Sequence, residues 1–96
     1  MKYIIVETDD VAHGAILFDD AIAHDEMAAG VPSIKKVKSA GFIELIKKDD
    51  KFDIRCTGRS ISLGLASNPE MDTILVKRCL KRNFKDFDTV EENTVI

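Results

Sequence analysis

A chain of 96 residues, 45% apolar and 32% charged, is long enough for one domain and too short for two. Its net charge of −3 and its mixed composition place it among ordinary soluble globular proteins, with one thin core. No apolar run approaches the roughly 20 residues that a membrane-crossing helix requires, which excludes that class.

Residues 2–8, Lys-Tyr-Ile-Ile-Val-Glu-Thr, predict a strand. Tyr3 and Ile5 alternate with Ile4 and Val6, and β-branched residues dominate. One basic residue, a short apolar stretch and acids directly after it read as the first strand of a cytoplasmic protein rather than a signal peptide. Asp9-Asp10 is a turn signal, and Gly14–Phe18 is a second short apolar run, so the two strands form an antiparallel hairpin with a loose connection. Asp19 to Gly30 changes to alanines, Met27 and acids. His24 to Ala29 is its helical part, capped by Asp19 or Asp20 and ended by Gly30 and Pro32.

Residues 34–48 predict a long extended segment, with Gly41 as a bulge or bend. Lys47 to Lys51 is a turn, after which Phe52, Ile54 and Cys56 alternate with Asp53, Arg55 and Thr57. Ser60, Ser62 and Gly64 alternate with Ile61, Leu63 and Leu65, which predicts one more strand entered through a Gly58-Arg59 turn. A helix then starts at Ser67-Asn-Pro-Glu70. Ser67 and Glu70 fit a capping box, and Asn68 before Pro69 is the alternative cap. Met71, Ile74, Leu75, Cys79 and Leu80 form its apolar face through about Arg82. The predicted fold is α+β: about five strands in a mostly antiparallel sheet, a C-terminal helix over one face, and a short helix between strands two and three. Residues 1–84 form the globular domain, and 85–96 are expected to be a frayed acidic tail.

Candidate chemistry is sparse. The run from Gly58 to Glu70 has glycines and serines ahead of a helix, but Leu65-Ala66 stands where a phosphate loop needs Lys-Ser/Thr. It reads as scaffold. His24 with Asp25, Glu26, Asp19 and Asp20 is the densest group of metal-capable side chains, yet its spacing matches neither a zinc helix nor a calcium loop. Neither a metal nor a cofactor is expected. Cys56 and Cys79 lack metal-ligand spacing and read as free, partly buried thiols. Glu44 shares a face with Phe42 and Ile46 and reads as an edge or paired carboxylate rather than a general base. No catalytic residue is assigned.

The charges fall in blocks. From Tyr3 to Ile34 there are seven acids (Glu7, Asp9, Asp10, Asp19, Asp20, Asp25, Glu26) and no Lys or Arg. From Lys35 to Arg59 there are eight bases against four acids, and the last helix carries Lys77, Arg78, Lys81 and Arg82. Such poles bear on partners more than on fold.

The segments "KYIIVE", "AIAHDEMA", "SAGFIEL", "GRSISLGL" and "SNPEMD" together resemble small uncharacterised accessory proteins of phages and prophages, over most of residues 1–82. The resemblance brings no functional residue with it. It implies a compact protein that binds and inhibits or redirects host machinery, as some anti-CRISPR proteins of this size do. The expected function is therefore a non-enzymatic protein of the host cytoplasm. Its acidic patch would face a basic site on a protein partner, such as a nucleic-acid-binding host complex. Self-association through an exposed edge strand is a variant. Two alternatives remain: a metal-dependent protein built on His24 and its acids, and a nucleic-acid binder using Lys77, Arg78, Lys81 and Arg82.

Overall fold

A computed structural model describes residues 1–49 and 51–83. The elements in chain order are β1 (Lys2–Glu7), β2 (Gly14–Phe18), α1 (His24–Ala29), β3 (Lys36–Lys48), β4 (Lys51–Thr57), β5 (Arg59–Ser60), β6 (Leu65–Ala66) and α2 (Pro69–Asn83). The α+β architecture is as expected. Four strands form an antiparallel sheet in the order β2-β1-β3-β4, and β5 and β6 pair as a separate small ribbon.

The second strand of that order, β1, organises the core. Tyr3 and Ile5 join Ile54, Cys56, Val76 and Leu80 on the side covered by α2. Ile4 and Val6 join Phe18 and Ala40 on the other side, beneath Met27 and Ala28 of α1 and Leu63 and Leu65 of the ribbon. The molecule thus has three layers, with α1 and the ribbon as the third. An unbroken apolar run from Tyr3 to Val6 suits a strand with no wet face. Each such side chain contributes about 1.5–3 kcal/mol by leaving water.

The long strand β3 carries a one-residue irregularity. Ile5 faces Ser39 but Val6 faces Val37, so Lys38 is the extra residue. A bulge re-aims the side chains around it: Ser39 turns toward α2, while Val37 joins the opposite core layer. Gly41, expected to be the bulge, instead stays in register with Tyr3. What it provides is space. A Cβ there would run into the Thr57 carbonyl oxygen and sit 3.1 Å from the Ser67 Cβ.

The last strand predicted from the sequence is corrected. The alternation from Ser60 to Leu65 folds back on itself as two two-residue strands. The Ser60 hydroxyl accepts the Leu63 N–H at 3.1 Å, and Gly64, at φ +66°, takes the left-handed conformation that closes the turn. Local Ser and Gly chemistry outweighs a period-two pattern only six residues long. Leu63 and Leu65 turn inward, and Ile61 is left at the tip.

The helix faces also differ from expectation. Met71 points to solvent, whereas Asp72, Thr73, Val76, Lys77 and Leu80 are buried. The buried stripe has the expected i, i+4 spacing, but it begins with polar residues, which hid its phase in the sequence. The first turn is held by Asp72, whose carboxylate accepts the Asn68 N–H at 2.8 Å. For α1, Ala23 occupies the N-cap position without a side-chain bond. Asp19 instead accepts the Ala21 N–H at 2.7 Å, and Asp20 pairs with the N-terminal amine at 2.9 Å. The tail expected from residue 85 lies outside the described residues. No helix among those residues is long and apolar enough to cross a membrane.

Candidate functional site

The seven acids of the N-terminal third do not gather into one patch. Asp9 and Asp10 lie in the β1–β2 connection beyond Glu7, whereas Asp19 and Asp20 follow Phe18, which pairs with Lys2 at the other end of β1. Those ends are about 16 Å apart at the rise of a strand. The Glu7 end is largely neutralised: Lys35 reaches Asp9 at 2.7 Å, and Lys38 reaches Glu7 at 3.7 Å. Asp19 and Asp20 precede α1 and Asp25 and Glu26 lie in its first turn, and of these Asp20 is paired with the N-terminal amine.

The basic helix face is likewise broken up. Lys77 is only 3% exposed, and its ammonium meets Asp53 at 2.8 Å. It is an interior ion pair and is withdrawn from the surface patch. Arg78 and Arg82 are exposed and Lys81 is half-buried.

His24 opens α1 and is buried between two rings. It lies edge-on to Phe18 and to Phe42, each at 5.5 Å between centroids. Its Nε2 is 2.9 Å from the Gly41 carbonyl oxygen, which can only accept, so Nε2 carries the proton and donates. The histidine anchors the short helix to β3. Among the described residues no three His, Cys, Asp or Glu side chains are placed to hold a metal ion together. Glu44 is paired on the surface with Arg55 at 3.2 Å, as expected for a sheet carboxylate.

The chemically capable groups of the α2 side are closed on one another. Asp72 is 1% exposed and accepts from the Tyr3 hydroxyl at 2.6 Å, the Ser39 hydroxyl at 2.9 Å and the Asn68 N–H. Thr73 Oγ1 accepts the Cys56 N–H at 3.0 Å. Burial, and then the bond to Asp72, push the Tyr3 phenol far above its ordinary range. Burial likewise pushes the Cys56 thiol up to about 12. Neither cysteine forms a disulfide among the described residues, and Cys79 is partly exposed. These pairings rigidify the core, and a thiol held in its protonated form is a poor nucleophile. This network is what reading the sequence missed. Its one signal was an Asp at the fourth helical position after Asn-Pro, a place where a carboxylate can reach back to the free N–H groups.

An accessible depression lies on the opposite side, where α1, the ribbon turn and β3 converge. It has a volume of about 300 Å³ and is lined by Lys2, His24, Phe42, Arg59, Ile61 and Ser62, among others. Phe42 is 40% exposed and Ile61 86% exposed. Lys2 donates to the Ile22 carbonyl at 2.9 Å and stands 6.0 Å from the Phe42 ring centre. The Ser62 hydroxyl accepts the Asp25 N–H at 3.3 Å, joining the ribbon turn to α1. Ile61 and Arg59 also border a second hollow of about 230 Å³, which runs along the ribbon. Such a surface can bind an apolar side chain, and its ionic groups can orient what carries it.

Comparison of the chain with protein-family models, with curated proteins and with solved structures found no match.

Proposed function

We propose that the chain is a non-enzymatic interaction protein of the cytoplasm whose contact surface is the end of the molecule bearing Phe42 and Ile61. The observation that carries this reading is the 86% exposure of Ile61 beside a half-open Phe42 and a concave surface. A β-branched apolar residue at the tip of a Ser/Gly turn contributes little to the core from that position. Apolar side chains gathered at a concavity, unlike singly scattered ones, mark interaction sites. The neighbouring acids Asp19, Asp20, Asp25 and Glu26 retain the role expected of an acidic surface, which is to speed encounter with a basic partner. Aromatic and aliphatic anchors then hold the complex. The resemblance to phage and prophage accessory proteins supports a host macromolecule as the target, with inhibition of host machinery as the consequence.

The test is capture from host lysate by the tagged chain, its Ile61→Asp variant, and Arg78→Glu as a control on α2. Wild type and Arg78→Glu should retain a partner that Ile61→Asp loses. With that partner purified, Asp19→Lys with Asp20→Lys should slow association at low salt, and less so at high salt. Equal capture by all three forms rejects the assignment of the surface.

A further inference from the structure

Lys35, Lys38, Arg55 and Lys77 each have a carboxylate within ion-pair distance. The two cations that line the Phe42–Ile61 depression do not. Among the described residues, Lys2 bonds only a backbone carbonyl and Arg59 has no acidic partner. Both stand against exposed apolar surface, with Lys2 placed near the face of Phe42. A cation beside an apolar floor is a two-part recognition element. The floor takes a bulky side chain, and the cations take an anion carried next to it.

We infer that the occupant of this depression is a segment of a protein partner presenting a large apolar side chain flanked by carboxylates. It would pair those carboxylates with Lys2 and Arg59. The inference rests on the surface assignment made above and deepens it by giving the partner's chemistry at the contact. The acids around α1 lie outside the lining, so they act on the partner's surroundings rather than on this segment. Arg59 supplies a planar fork suited to a carboxylate. Lys2 retains two donors after its bond to the Ile22 carbonyl oxygen.

The experiment uses the full chain, isotopically labelled, titrated with short synthetic peptides that share a central Phe and differ in its neighbours: Asp, Asn or Lys. Shifts should centre on Phe42, Ile61 and Ser62. Two rim ion pairs should make the Asp-flanked peptide bind about tenfold more tightly than the Lys-flanked one. Arg59→Glu, at an exposed position, should remove or invert that order, with an unchanged melting temperature showing that the fold is intact. Ile61→Asp should weaken all three peptides. If Ile61→Asp weakens all alike and the flanking charge has no effect, the charge assignment is overturned while the surface assignment stands. If shifts fall elsewhere, or no peptide binds, the carboxylate-bearing occupant is rejected. Tighter binding of the Lys-flanked peptide would transfer recognition to the acids around α1 and overturn the inference.

Discussion

The two sides of β1 are built differently. On the α2 side, Tyr3, Ser39, Asp72 and Thr73 are hydrogen-bonded within the layer, and Lys77 meets Asp53. On the other side, a short helix and a two-stranded ribbon cover the sheet, tied by His24 to Gly41 and by Asp25 to Ser62. There, Phe42 and Ile61 remain exposed at a depression, while Leu45, Phe52 and Met71 are exposed elsewhere on the molecule. Fixing a fold and offering a surface can thus be divided between the faces of one strand. A satisfied buried network specifies one arrangement, because every alternative leaves a polar group unpaired. A layer made of short elements leaves gaps, and gaps lined by apolar groups bind things.

The closed layer is most vulnerable at Asp72. Asp72→Ala leaves the Tyr3 and Ser39 hydroxyls and the Asn68 N–H without their acceptor, and we expect a loss of about 3 kcal/mol or more in urea unfolding. A loss below about 1 kcal/mol would show that the network is not what holds the α2 layer. Next comes Gly41→Ala, which forces a methyl group against the Thr57 backbone and should cost about 2 kcal/mol. His24→Ala should cost about 1.5 kcal/mol, with a different signature. Amide exchange should rise in α1 and the ribbon turn while the sheet amides stay protected. Uniform exposure of all elements would mean that the two sides unfold as one unit.

Alkaline pH sharpens the contrast further. The Cys56 thiol is raised from 9.0 to about 12, so the folded chain keeps its proton where the unfolded chain releases it. Its contribution is intact below pH 9 and declines as pH rises toward 12. Tyr3 is shifted in the same direction. Stability should therefore fall by about 1 kcal/mol between neutral pH and pH 10 on account of Cys56, and Cys56→Ala should flatten that slope. In native protein a thiol reagent should modify Cys79 well before Cys56. The smallest expected effect is at Ile61. Ile61→Ser should change stability by less than about 0.5 kcal/mol, since the side chain is already in water. A larger loss would show that the ribbon tip is structural.

Several features were legible in the residues. The β-branched run at Tyr3–Val6, the period of Phe52, Ile54 and Cys56, the Asn-Pro helix start and the Ala-rich turn after His24 gave the class, the element order and the pairing of the hairpins. Those signals are local: each depends on side chains within a few residues along the chain. The surface assignments were less legible. Seven acids in sequence became two groups, because an antiparallel hairpin sends its loop and its ends in opposite directions. Lys77 looked like part of a basic face, and only the register of α2 against β4 turned it toward Asp53.

Local signals in the residues are enough for β1 to β4 and both helices, because backbone preference and hydrophobic period act over neighbours; they fail at residues 60–65, which read as one strand but fold back as a turn. Tertiary structure alone decided that Asp72 would be an interior acceptor for Tyr3 across 69 positions of chain, and that Lys2, Phe42, Arg59 and Ile61 would meet at one depression. Contacts between distant segments are fixed by how layers stack, and no local pattern encodes which polar group will find which.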